Sequence, residues 1–204
     1  GVIANATTTY LIDTARPGAS PLLTQFLSPP PAGDIVAELR GHLIVASGNR
    51  LYPSEPYSPE LFDLRNSFPF ADRITMVAGI NDGRFYRQHG LFVGTDSQII
   101  WLQGDAPAKW EYRVLANYGV LPGTLFFGDG ELLGAGDSKE KIAFFASKRG
   151  ICAGKMGGDL LNLTQHRYSY PIQDRGAAIV RRHAGMAQYL VSMQGAEVAG
   201  NVAA

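Results

Sequence analysis

Short apolar runs alternate with turn residues along this chain, and one arrangement recurs. The runs 43–47 (LIVAS), 91–95 (LFVGT), 143–147 (AFFAS) and 189–193 (YLVSM) each pass through two turn residues into a second short run. The connecting pairs are Gly48-Asn49, Asp96-Ser97, Lys148-Arg149 and Gln194-Gly195. An apolar run, a two-residue turn and a returning run is the pattern of a β-hairpin. The hairpins begin at 43, 91, 143 and 189, in steps of about 50 residues, and several short strands per repeat of that length point to the blades of a β-propeller.

Around each hairpin the pattern predicts flanking strands. The first unit reads as 34–39, 42–47, 49–54 and 61–64; the second as 73–78, 91–95, 98–103 and 110–115. The third reads as 124–127, 142–147, 150–154 and 160–163, and the fourth as 177–181, 188–193 and 196–202. Polar–apolar alternation is imperfect, as expected where both faces of a sheet are covered. The fold class expected is therefore all-β and propeller-like, with four blade units at about 34–71, 72–122, 123–175 and 176–204.

The fourth unit is one strand short. Residues 7–13 (TTTYLID) form a lone β-branched strand candidate, and supplying it to that unit would close the propeller and remove two sheet edges. Between this strand and the first unit lie Pro17, Pro21, Pro29, Pro30 and Pro31. Prolines withhold ladder donors, so 17–33 is expected to run over the surface, making 1–33 an N-terminal strand with a proline-rich arm. Ser47, Thr95 and Ser147 precede the turns, where a hydroxyl bonds turn backbone, which accounts for them without catalysis. Lys148-Arg149 is poor turn chemistry and predicts a different geometry for the third hairpin.

Composition agrees with many short strands. The 204 residues are 46% hydrophobic, enough for a core, and include 24 glycines and 12 prolines. Charged residues make up only 18%, with a net charge of zero, which argues against a nucleic-acid-binding surface. So lightly charged a surface suits self-association, and it equally suits an ordinary globular protein. Cys152 is the sole cysteine, so neither an internal disulfide nor a cysteine zinc site is expected; its alternating surroundings predict burial. No apolar run reaches the roughly 18 residues of a membrane span, and no signal peptide is legible. The chain starts at Gly1 without methionine, which initiator removal and excision from a longer chain both explain; a fragment is one expectation.

Little in the chain points to catalysis. His42, His89, His166 and His183 fall in different units with no metal-ligand or helical spacing, and no nucleophile motif is present. Scattered aspartates offer no legible carboxylate pair. The glycine-rich stretch 128–137 lacks the spacing of a dinucleotide or phosphate loop and reads as a turn, with a weak calcium site as the alternative. The expectation is a protein that is not an enzyme, with no catalytic residues, metal or cofactor. Asn5-Ala6-Thr7 and Asn162-Leu163-Thr164 fit the glycosylation sequon, which carries little without a secretion signal. The insertion 81–89 stands out: Arg84, Phe85, Tyr86, Arg87 and His89 make it an expected contact loop, since Arg and Tyr are favoured at interfaces. The reading set against it is a solvated loop whose aromatics pack back on the blade.

The stretch 41–56 (GHLIVASGNRLYPSEP), continued by 58–63 (SPELFD), 70–74 (FADRI), 90–95 (GLFVGT) and 101–104 (WLQG), resembles propeller-like structural proteins of tailed bacteriophages, found in tail hubs, tail tips and stabilisation complexes. The resemblance covers 34–105 well and later units loosely. It implies a virion component, assembled in the host cytoplasm, that binds neighbouring tail proteins and further copies of itself. It supplies no catalytic residues. The alternative is a receptor- or carbohydrate-binding propeller, for which Trp101, Trp110 and Tyr112 are the aromatic candidates, although their strand positions favour burial. A glycosidase-like enzyme is the third reading.

Overall fold

The computed structural model describes residues 27–81, 89–104, 106–134, 140–164, 175–184 and 186–194. Its regular elements are β-strands and three short 3-10 turns. The strands build four antiparallel sheets. The first contains β1 (Ile35–Leu39), β2 (His42–Ser47), β3 (Arg50–Glu55) and β4 (Ser58–Phe62) in that order, with β5 (Phe68–Pro69) also on β3. The second is β6 (Ile74–Ile80), β7 (Gly90–Thr95), β8 (Ile99–Gln103) and β9 (Glu111–Ala116). The third is β10 (Phe126–Gly128), β11 (Ile142–Ser147), β12 (Gly150–Lys155) and β13 (Asp159–Asn162); the fourth is the hairpin β14 (Arg175–His183) and β15 (Met186–Gln194). The expected strands 7–13 and 196–202, and the turn at Gln194-Gly195, lie wholly or partly outside the described residues.

The sheets stack face to face in chain order, and the alternation of side chains explains how. From the second sheet, Val77, Leu91, Val93, Ile100 and Leu102 face Leu39, Ile44 and Leu51 of the first. Their neighbours Met76, Ala78, Phe92 and Trp101 face the opposite way, onto Ala143, Phe145 and Cys152 of the third. Ile142, Phe144 and Ala153 on the third sheet's other face meet Tyr189 of the fourth. An inner sheet with two covered faces reads as a continuous apolar run, and β6, β7 and β11 are buried at every position. Where β1 and β6 pass closest, Gly79 lies so near the Glu38 carbonyl that a Cβ there would sit 2.1 Å from its oxygen.

Several boundaries differ from the sequence pattern, each for a local reason. The last strand of the first sheet starts at Ser58, not at 61, because Pro56-Tyr57 form a tight turn with Tyr57 at φ +59 and Glu55 pairs directly with Ser58. It ends at Phe62, where the Asp63 carboxylate accepts the Arg65 N–H at 3.0 Å and turns the chain. Thr124 leads into β10 rather than lying in it. Its buried hydroxyl donates to the Leu121 carbonyl (2.8 Å) and accepts the Ala146 N–H (3.1 Å), standing in for a ladder partner. The strands of the fourth sheet run to nine residues each, closed after His183 by Ala184 at φ +50.

Two of the three turn hydroxyls, those of Thr95 and Ser147, bond turn backbone as expected, whereas the Ser47 hydroxyl makes no such bond among the described residues. Thr95 Oγ1 accepts from the Gln98 N–H (2.9 Å), and Ser147 Oγ accepts from the Arg149 N–H (3.3 Å). The first hairpin places Gly48 at φ +58, whereas in the third the positive φ moves past Lys148 and Arg149 to Gly150, at +124. In the described part of the proline arm, Ser28 exchanges backbone hydrogen bonds with Phe62 (2.8 and 2.9 Å) and covers the edge of β4, with Pro29 and Pro30 exposed beyond it.

Candidate functional site

Of the expected contact residues, Arg84, Phe85, Tyr86 and Arg87 lie outside the described residues. His89, which ends that loop, is only 5% exposed. It and Asn81, at the loop's other root, line a cleft of about 790 Å³ between the first two sheets. Opposite them stand two neighbouring turns of the first sheet. Arg40 and Gly41 join β1 to β2 at φ +52 and +78, the pattern of a type I′ hairpin turn. The Tyr57 N–H donates to the Gly41 carbonyl at 2.7 Å, tying this turn to the one between β3 and β4. The Tyr57 ring lies against Gly41, where a Cβ would come within 2.7 Å of it, and is 86% exposed. His42 donates from Nδ1 to the Ser54 carbonyl (2.7 Å), which fixes its ring in the cleft wall. The cleft thus combines a held aromatic face with carboxylate, amide and imidazole groups.

A second cavity, of about 700 Å³, lies where the first strands of all four sheets begin. Asp34 and Ile35 line it from the first sheet, Arg73 to Val77 from the second, Pro122 and Gly123 from the approach to β10, and Arg175 and Gly176 from β14. Backbone contacts hold the walls together: Ile74 N–H to the Gly48 carbonyl (2.9 Å) and Gly176 N–H to the Pro122 carbonyl (2.8 Å). A side chain at Gly123 would strike the Gly176 carbonyl. In β6 the pairing runs from Ile74 opposite Thr95 to Met76 opposite Gly94, leaving Thr75 as a bulge residue. That extra residue resets the alternation, so that Ile74 and Val77 face the same way.

The end faces of the stack form a third feature. On β14 and β15, alternate side chains point inward, and Ile179 and Leu190, directly paired, point outward. Ile179 is 62% exposed, and Leu190 and Met186 are also exposed. At the opposite end of the stack Val36 of β1 is exposed.

Other residues singled out by sequence have structural roles. Trp101 is buried, packed on Phe92 with ring centroids 4.6 Å apart, and its Nε1–H donates to Gln103 Oε1 (3.1 Å). Trp110 is half-buried on Phe68. Tyr112 departs from the expected burial and is exposed, because β9 is an edge strand whose middle residues meet solvent on both faces. In the glycine-rich stretch, residues 130–133 form a 3-10 turn, and Asp129 and Glu131 pair with Arg182 at 3.6 and 3.0 Å. Their charges are met by a guanidinium. Among the described residues no cluster of three His, Cys, Asp or Glu side chains is disposed to hold a metal ion. Cys152 is buried beside Ser147 Oγ (3.5 Å), and desolvation pushes its thiol pKa up, away from nucleophilic use. No described helix is long and apolar enough to cross a membrane.

Comparison with protein-family models and with curated proteins finds no match to this chain.

Proposed function

We infer that this chain is a non-enzymatic structural component of a bacteriophage virion, part of the tail or tail tip, and that it acts by protein–protein assembly. The observation that carries the assembly reading is the outward face of the β14–β15 hairpin, where Ile179, Leu190 and Met186 are exposed on a sheet of two described strands. Exposed apolar side chains grouped on one face mark an interaction surface. The sequence resemblance over 34–105 supplies the virion setting. In this reading the four sheets are consecutive blades of a propeller-like arc, in keeping with their face-to-face order and the first strands gathered around one cavity. Neighbouring tail proteins or further copies of the chain cover the end faces.

The test is the molar mass of the purified chain by light scattering behind size-exclusion chromatography, alone and with Ile179→Asp/Leu190→Asp. A defined oligomer that falls to monomer in the double variant is expected. If the mass is that of an oligomer and both charges leave it unchanged, the hairpin face is not the assembly surface. The same measurement on Phe85→Ala/Tyr86→Ala tests the contact loop.

The cleft beside Tyr57 favours a second reading, a glycan-binding module. An exposed aromatic face next to planar hydrogen-bonding groups suits a sugar ring. Quenching of tyrosine fluorescence by oligosaccharides, abolished by Tyr57→Ala, would support it over a purely structural role.

A further inference from the structure

We propose that the cavity at the start of the four sheets is a binding site for an amphipathic organic anion, one with a carboxylate or phosphate head on a short apolar body. Three observations converge there. Arg73 and Arg175, both solvent-exposed, belong to its lining from different sheets, against one acidic residue, Asp34. Neither guanidinium forms a hydrogen bond or ion pair with a described residue. Thr75 lines the same cavity, is 3% exposed, and its hydroxyl has no hydrogen-bond partner among the described residues. Buried hydroxyls are ordinarily hydrogen-bonded. The bulge that re-aims Thr75 is a device found beside binding sites.

These groups also select the ligand's chemistry. Guanidinium forks match the paired oxygens of a carboxylate or phosphate, and a hydroxyl adds a third donor. Excess positive charge disfavours a cation. Ile35, Val77 and Leu125 supply apolar wall, so the body behind the charged head is apolar. The volume of about 700 Å³ falls in the range of small-molecule sites, roughly 300–1,000 Å³. Because β1, β6, β14 and the approach to β10 all contribute lining residues, such a ligand would also join the sheets.

The proposal is tested by isothermal titration of the full chain with hexyl phosphate, hexanoate, inorganic phosphate and hexanol. Hexyl phosphate or hexanoate is expected to bind, with affinity falling as salt rises, and the stronger of the two identifies the head group. Inorganic phosphate is expected to bind at least tenfold more weakly, and hexanol not measurably. Arg73→Gln/Arg175→Gln is expected to weaken the anion by tenfold or more while keeping the native circular dichroism. If that double variant loses its fold, Thr75→Val, which keeps the side-chain volume, decides: an affinity drop of threefold or more supports the site, and an unchanged affinity overturns it. No binding by either organic anion, or equal binding of hexanol, also overturns it. The readout is binding by the chain alone, so it is independent of the assembly state.

Discussion

Cys152 illustrates how burial sets chemistry at the scale of one residue. Its side chain has no solvent exposure, and desolvation, larger than the opposing effect of its hydrogen bonds with Ser147 and Tyr118, holds the thiol pKa above its ordinary value of 9.0. The folded protein therefore keeps that proton more tightly than the unfolded chain does. The associated stability is fully present below the unfolded pKa and is lost as pH rises through the folded one. Urea unfolding from pH 8 upward should show the wild type losing stability above about pH 9 relative to Cys152→Ala. Parallel pH curves for the two proteins would contradict this. Tyr118, whose pKa burial also raises, adds the same trend above its ordinary 10.0. Gly79 shows the opposite kind of constraint, set by space. Gly79→Ala places a methyl group against the Glu38 backbone, and a rigid overlap of this kind is expected to cost about 1–3 kcal/mol. Equilibrium denaturation reads that loss directly.

Among the elements, the strands depend on side chains outside the ladders. Thr124 binds the approach to β10 to the end of β11, through two buried hydrogen bonds. Thr124→Val keeps the shape and strands the Ala146 N–H, so it should cost about 1–3 kcal/mol; Thr124→Ser, which keeps the hydroxyl, should recover most of it in the same unfolding assay. Lys141 links sheets in a similar way. Its ammonium donates to the Gly79 carbonyl at 2.9 Å and sits 3.9 Å over the Phe127 ring. Burial lowers its pKa, so holding the charge there opposes part of what the contacts contribute.

In the molecule as a whole, stability should follow position in the stack. β6, β7 and β11 are packed on both faces, whereas β14 and β15 expose one face throughout. Hydrogen exchange followed by mass spectrometry should find the slowest amides in β6, β7 and β11 and faster exchange in β14 and β15. Uniform protection across all four sheets would mean that the end faces are covered in solution, which would itself locate the assembly surface.

The sequence alone determined the hairpins, because two adjacent strands and their turn are specified by neighbours: the apolar runs of β2, β7 and β11, the glycine at 48, and the hydroxyls of Thr95 and Ser147. It also determined the all-β class and the burial of Cys152. Strand ends such as Ser58 and Phe126 were less legible, because Tyr57 and Thr124 act through contacts with Gly41, Leu121 and Ala146 that local pattern does not carry. Only the tertiary structure decided which aromatics are exposed: Trp101 and Tyr112 look alike in their strands, but one lies between two sheets and the other on an edge. Only it decided the cavities. Thr75, Arg73 and Arg175 have no pattern in common along the chain, and what gathers them is the stacking of sheets, driven by apolar faces that must be covered whatever residues the strand ends carry.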